Sequence, residues 1–227
     1  MRLCRLVLGY GSYGGRALAR KAMVAILCIA ALPAMAETTV LALGDSLTQG
    51  YGLRQADGFV PQLEGWLKAQ GEDVRVINGG VSGDTTRGGR ARVDWSLTPE
   101  VDAMIVTLGG NDILRGTDPK ATRENLDYIL DAADAKGVPV LLIGLYASRN
   151  YGDSFKQAFD AIHPELAQEH GALYEPNFFQ GLAGDDGDPS VYRQWMQADG
   201  IHPNAEGVKR IVARIGPRVE ELIARVK

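Results

Sequence analysis

Ala103-Met104-Ile105-Val106-Thr107-Leu108-Gly109-Gly110-Asn111-Asp112 is the stretch on which the fold class turns. Met104-Ile105-Val106 is apolar without a break, whereas a strand with one wet face alternates apolar and polar residues. Unbroken apolarity means burial on both faces, as in parallel sheets covered by helices on each side. Val140-Leu141-Leu142-Ile143 repeats the signal. Outward from these two runs, strands are expected at residues 39–43, 74–77, 103–108, 138–143 and 172–174. Helical patterns lie between and after them, at 58–70, 86–96, 120–136, 154–170 and 205–226. Strand–helix alternation with right-handed crossovers gives a three-layer α/β/α domain. Residues 181–188, rich in Gly and Asp, read as a long surface loop. In open sheets of this kind ligands sit beyond the carboxyl ends of the strands, so chemistry is sought just after each one.

The chain has 227 residues, 45% hydrophobic and 23% charged, which suits one globular domain. Residues 1–36 differ from the rest. They hold Arg2, Arg5, Arg16, Arg20 and Lys21 but no acid, then an apolar run over 22–32, then Ala34-Met35-Ala36. Basic, apolar and small-residue regions in that order predict a secretory signal peptide cut after Ala36. The apolar run falls short of the roughly 20 residues that span a bilayer, which disfavours the alternative of an uncleaved anchor. Cys4 and Cys28 both fall in this segment, and Leu27 rather than a small residue precedes Cys28, unlike a lipoprotein signal. From Glu37 onward there is no thiol to serve as nucleophile or metal ligand. Cleavage removes five basic and no acidic residues, taking the formal charge from −4 to −9. So acidic a surface lacks the footprint of a nucleic-acid binder and gains nothing from anionic membranes.

Four segments carry chemistry. Gly44-Asp45-Ser46-Leu47 closes the first strand, with Gly44 permitting a sharp turn and Ser46 poised at a helix N-terminus. Asn78-Gly79-Gly80-Val81-Ser82-Gly83-Asp84-Thr85 follows the second and could aim backbone N–H groups into the crevice. Asn111, after the third strand, brings an amide donor that binds an oxyanion without competing for protons. Asp199-Gly200-Ile201-His202-Pro203 places a carboxylate three residues before an imidazole, where it can fix the tautomer. Pro203 biases His202 toward an extended backbone and suits the first turn of the last helix. His163 and His170, in a helical stretch, read as surface or helix-end residues. Taken singly, each segment is also an ordinary N-cap or turn. Their order, each after its own strand, is what points to an acyl-transfer site.

With these four blocks the chain resembles the GDSL, or SGNH, hydrolases across residues 37–227. The resemblance implies a flavodoxin-like sheet of five parallel strands, with Ser46 as nucleophile, His202 as base and Asp199 as its partner. It further implies an oxyanion hole from Ser46, Gly83 and Asn111, and no cofactor or metal. Within the family the chain looks most like the periplasmic acyl-CoA thioesterase I, lysophospholipase and arylesterase group. Its stretches Leu41–Tyr51, Leu108–Gly116, Asn150-Tyr151-Gly152 and Gln194–Asn204 carry that likeness. Tyr146-Ala147-Ser148-Arg149 stands where many relatives have a proline-bearing segment expected to line the acyl pocket. Leu145, Tyr146, Asn150, Trp195 and Ile201 are the expected substrate contacts, and a small-molecule or lipid ester the expected substrate. Three other readings stay open: a carbohydrate O-acetylesterase, a non-catalytic binding protein, and a cation site at Asp185, Asp186 and Asp188. The last lacks the later bidentate Glu of a calcium loop.

Overall fold

A computed structural model describes residues 37–182 and 189–226. The expected signal segment and residues 183–188, with Asp185, Asp186 and Asp188, lie outside the described residues. Five strands, β1 (Thr38–Gly44), β2 (Val74–Gly80), β3 (Ala103–Thr107), β4 (Val140–Ile143) and β5 (Leu173–Glu175), form one parallel sheet in the order β2-β1-β3-β4-β5. Seven helices follow or connect them: α1 (Ser46–Gln49), α2 (Phe59–Gln70), α3 (Thr86–Ser96), α4 (Gly110–Arg115), α5 (Pro119–Asp134), α6 (Asp153–Glu169) and α7 (Ala205–Ile223). Among the described residues no helix is long and apolar enough to cross a membrane.

The unbroken apolar runs have a direct cause, since successive strand side chains point to opposite faces and both faces are covered. Val40, Ala42, Ile105, Leu141 and Ile143 pack with Phe59, Leu63 and Leu67 of α2 and with Ile211, Ile215 and Val219 of α7. Leu41, Leu43, Met104, Val106 and Leu142 pack with Val93 of α3, Leu126 and Ile129 of α5, and Phe159 and Ile162 of α6. Truncating one of these residues, such as Leu43, to Ala costs about 2–5 kcal/mol. On α7 the buried Val208, Ile211, Val212, Ile215, Val219 and Leu222 recur at steps of three and four, the helical stripe.

Element ends differ from the sequence pattern where contacts outside the element decide them. β2 runs on through Asn78-Gly79-Gly80, which are not apolar, because they keep register with Ala42-Leu43-Gly44 of β1. α5 starts at Pro119, a residue suited to the first helical position, with Asp118 accepting from the Lys120 N–H at 2.9 Å. Pro203 does not enter the first turn of α7. Asn204 is the cap there, its Oδ1 accepting from the Gly207 N–H at 2.9 Å, so the proline lies ahead of the helix.

Chain order and spatial order part company between β1 and β3. From β1 the chain passes to β2 on one side, then returns to β3 on the other. A crevice opens at such a switch point beyond the carboxyl ends of the strands. Ser46 and Asn111, just past those two ends, are the first side chains to meet it.

Candidate active site

Ser46 is the first residue of α1, so its N–H has no acceptor within the helix. Asp45 caps that helix, Oδ1 accepting from the Leu47 N–H at 3.0 Å. Gly44 does not have a positive φ; its hydrogen is required by close packing instead. A Cβ there would sit 2.0 Å from Thr48 Oγ1 and 2.9 Å from the Thr107 carbonyl oxygen.

Residues 195–204 form a narrow out-and-back loop. Asn204 N–H donates to the Trp195 carbonyl and Gln197 N–H to the His202 carbonyl, both at 2.8 Å. Asp199 lies near its tip. One carboxylate oxygen accepts from the backbone N–H groups of Ile201 at 2.9 Å and His202 at 3.0 Å. The other meets His202 Nδ1 at 2.6 Å. That bond from the imidazole, then those two N–H groups, hold the Asp199 carboxyl down to about 2. His202 Nε2 lies 2.8 Å from Ser46 Oγ. A serine distant in sequence from the imidazole–carboxylate pair therefore joins it in one unbroken hydrogen-bonded chain. Such a chain can draw the hydroxyl proton onto the imidazole while the carboxylate steadies the charge.

Asn111 occupies the first turn of α4, and its Nδ2 donates to Asp45 Oδ2 at 3.2 Å. An amide has two hydrogens, so one remains for a ligand. Burial pushes the Asp45 carboxyl up to about 6, against the lowering effect of the bonds from Leu47 and Asn111. Gly83 has φ +83°, a backbone state that a side chain would strain. Its carbonyl accepts from Arg115 Nη2 at 2.8 Å, which ties this loop to α4.

Supporting residues act over long chain distances, and two of them, Arg92 and His163, escaped sequence reasoning in this role. Arg92, nearly buried on α3, donates to Gly44 O at 2.8 Å, Gly79 O at 2.7 Å and Asp84 Oδ2 at 2.8 Å. It thus joins the ends of β1 and β2 to the Gly83 loop. Neither Asp84 nor Thr85 caps α3 through its side chain; the fully buried Asp112 takes the Thr86 N–H at 2.9 Å instead. His163 is not a surface residue. It is 1% exposed, burial lowers its pKa, and the neutral ring's Nε2–H donates to the Leu108 carbonyl at 3.2 Å, under the turn that presents Asn111. Of these, only the polar residues Asp84 and Asp112 beside the glycine blocks gave any local signal.

The crevice has a volume near 760 Å³. Ser46, Gly83, Asn111 and His202 open into it, and Leu145, Tyr146 and Ile201 are part of its lining. Asn150 and Trp195 are not part of that lining. Asn150 is exposed in a short 3-10 turn, and the Trp195 ring packs on the core beneath the Arg210 guanidinium, 3.8 Å away. Tyr51, Ile113, Leu114, Phe179, Tyr192 and Met196 complete an apolar wall. Ile113 and Leu114 come two and three residues after Asn111, a placement that could have revealed them. Among the described residues, carboxylate and imidazole atoms close enough to share an ion occur at Asp131, Asp134 and His170, none of which lines this crevice.

The profile of the GDSL-like lipase/acylhydrolase family matches residues 42–210. Esterase TesA of Pseudomonas aeruginosa is 36% identical over 189 residues, 83% of this chain and 90% of that protein. Thioesterase 1/protease 1/lysophospholipase L1 of Escherichia coli K12 is 34% identical over 191 residues, 84% and 87% of the two chains. The crystal structure of AlinE4, an SGNH-hydrolase family esterase, superposes with a TM-score of 0.66 at 37% identity, covering 82% of this chain and 96% of that one. Fold, sequence and strand-end blocks agree: the chain belongs to the GDSL-like lipase/acylhydrolase family and is an ester hydrolase.

Proposed function

We propose that the protein cleaves aryl and acyl esters through an acyl-enzyme on Ser46. The observation that carries this reading is the Ser46–His202–Asp199 chain opening onto an apolar crevice. His202 takes the Ser46 proton as the hydroxyl attacks the ester carbonyl, and Asp199 stabilises the imidazolium. The N–H groups of Ser46 and Gly83 and the free Asn111 amide hydrogen receive the oxyanion. His202 then protonates the leaving alcohol, and water repeats the cycle to release the acid. Thioesters and lysophospholipids, the substrates named for the E. coli relative, offer the same carbonyl to the same apolar walls. Those walls speak against a site built for acetylated carbohydrate. Residues 1–36 serve as an export signal cut after Ala36, leaving 37–227 as the hydrolase domain; a mature N-terminus at Glu37 in exported protein tests that.

The functional test is hydrolysis of p-nitrophenyl esters from acetate to dodecanoate by the protein from Glu37 onward and by Ser46→Ala. The reading expects activity that peaks at one acyl length and disappears in the variant. A Ser46→Ala protein with wild-type turnover contradicts it.

A further inference from the structure

We propose that Tyr51 forms the subsite for the alcohol half of the ester and selects aromatic alcohols. This rests on the reading of His202 as the group that protonates the leaving oxygen. As the carbonyl–oxygen bond breaks, its electron pair goes to the alcohol oxygen, which takes the proton His202 had received from Ser46. Whatever that oxygen carries must therefore lie against the imidazole.

The side chain found there is Tyr51. Its ring centroid is 4.7 Å from that of His202, at an interplanar angle of 40°. Tyr51 lines the crevice and is 52% exposed, so it offers apolar surface beside the imidazole. Its place is fixed from the backbone. Tyr51 N–H donates to the Ser46 carbonyl at 3.1 Å, and its own carbonyl accepts from Gln197 Nε2 at 2.8 Å. The same Gln197 nitrogen reaches the Pro203 carbonyl at 3.0 Å. One amide thus clamps the tyrosine to the loop that carries His202, and their spacing is held while Tyr51 stays exposed.

Of the other apolar walls, Ile113 and Leu114 belong to α4 and Leu145 and Tyr146 to the segment after β4, while Met196 and Ile201 share the loop of His202 but neither brings an aromatic ring against the imidazole. An ester bound with its carbonyl at Ser46 has two arms, and the arm beside His202 meets Tyr51. A flat ring placed there covers the exposed tyrosine face in an offset or tilted stack, worth about 0.5–1.5 kcal/mol beyond area burial. A saturated ring of similar size cannot match that.

The test compares kcat/KM for benzyl acetate and cyclohexylmethyl acetate in wild type, Tyr51→Ala and Tyr51→Phe. The acyl group is common and intrinsic reactivity cancels between enzymes. The benzyl-to-cyclohexylmethyl ratio is expected to fall about 2- to 12-fold in Tyr51→Ala and to persist in Tyr51→Phe. If Tyr51→Ala does not fold, Tyr51→Leu carries the same comparison. A ratio unchanged by removal of the ring, with both esters slowed alike, overturns the proposal and leaves Tyr51 as a prop for His202. Loss of the ratio in Tyr51→Phe overturns it too. A wild type that cleaves neither acetate nor any p-nitrophenyl ester removes the esterase reading beneath it.

Discussion

Two histidines in this molecule hold a carboxylate with almost the same geometry. His202 Nδ1 lies 2.6 Å from Asp199, and His170 Nδ1 lies 2.7 Å from Asp134. They part at the second nitrogen. His202 Nε2 faces the neutral hydroxyl of Ser46 at the wall of a crevice. His170 Nε2 faces a second carboxylate, Asp127, at 3.0 Å. Burial works against the His170 cation, but hydrogen bonds to Asp134 and then Asp127 outweigh it and raise its pKa above 6.5. An imidazole between two anions is a charged tie between α5 and the end of α6. One between an anion and a hydroxyl can still pass its proton on. On the reading proposed above, what sets the catalytic histidine apart is what its second nitrogen meets, not the His–Asp pair.

The comparison is tested hardest by deletion. Ser46→Ala or His202→Ala should lower ester turnover by on the order of 10⁴ or more, measured with an aryl ester, while His170→Ala leaves it within about twofold. Equal losses at the two histidines would erase the distinction. Asp199→Asn should cost about 10⁴, because the neutral amide favours the wrong imidazole tautomer; a rate near wild type would mean the carboxylate has no part in the chemistry. Asn111→Ala should lose about 10²–10³ in kcat, the usual cost of one oxyanion donor, with KM little changed. The smallest effect belongs to His170 and is thermal. Its folded pKa is raised, so the tie stabilises fully below pH 6.5 and is lost as pH climbs through the folded value. Both carboxylates are about half exposed, which limits the gain to roughly 1 kcal/mol or less. His170→Ala should therefore melt about 1–4 °C below wild type in mildly acidic buffer and closer to it in alkaline buffer. A gap that widens with rising pH would reverse the assignment.

The two histidines also mark how far sequence reasoning reaches. β1, β3 and β4 were legible because burial on both faces writes itself locally as an apolar run, and α3 because its bounds coincide with its pattern. Ser46, Asn111 and the Asp199–His202 pair were legible because each sits directly after a strand or within one short turn. Partners brought in from elsewhere were not. Nothing near Arg92 announces that its guanidinium spans Gly44, Gly79 and Asp84. His163 was expected at the surface, because a helical stretch containing Pro164 does not reveal which face meets the Leu108 carbonyl and Gly109. Trp195 was expected in the substrate wall and instead packs under Arg210, a contact made only once α7 folds back.

The most direct test of Ser46 as the acylated nucleophile is the intact mass of the protein after treatment with diethyl p-nitrophenyl phosphate, followed by peptide mapping. One diethylphosphoryl group on Ser46, appearing in step with loss of esterase activity and absent from Ser46→Ala, is the expected result. Inactivation with the label on another residue, or full activity retained with Ser46 labelled, would contradict it.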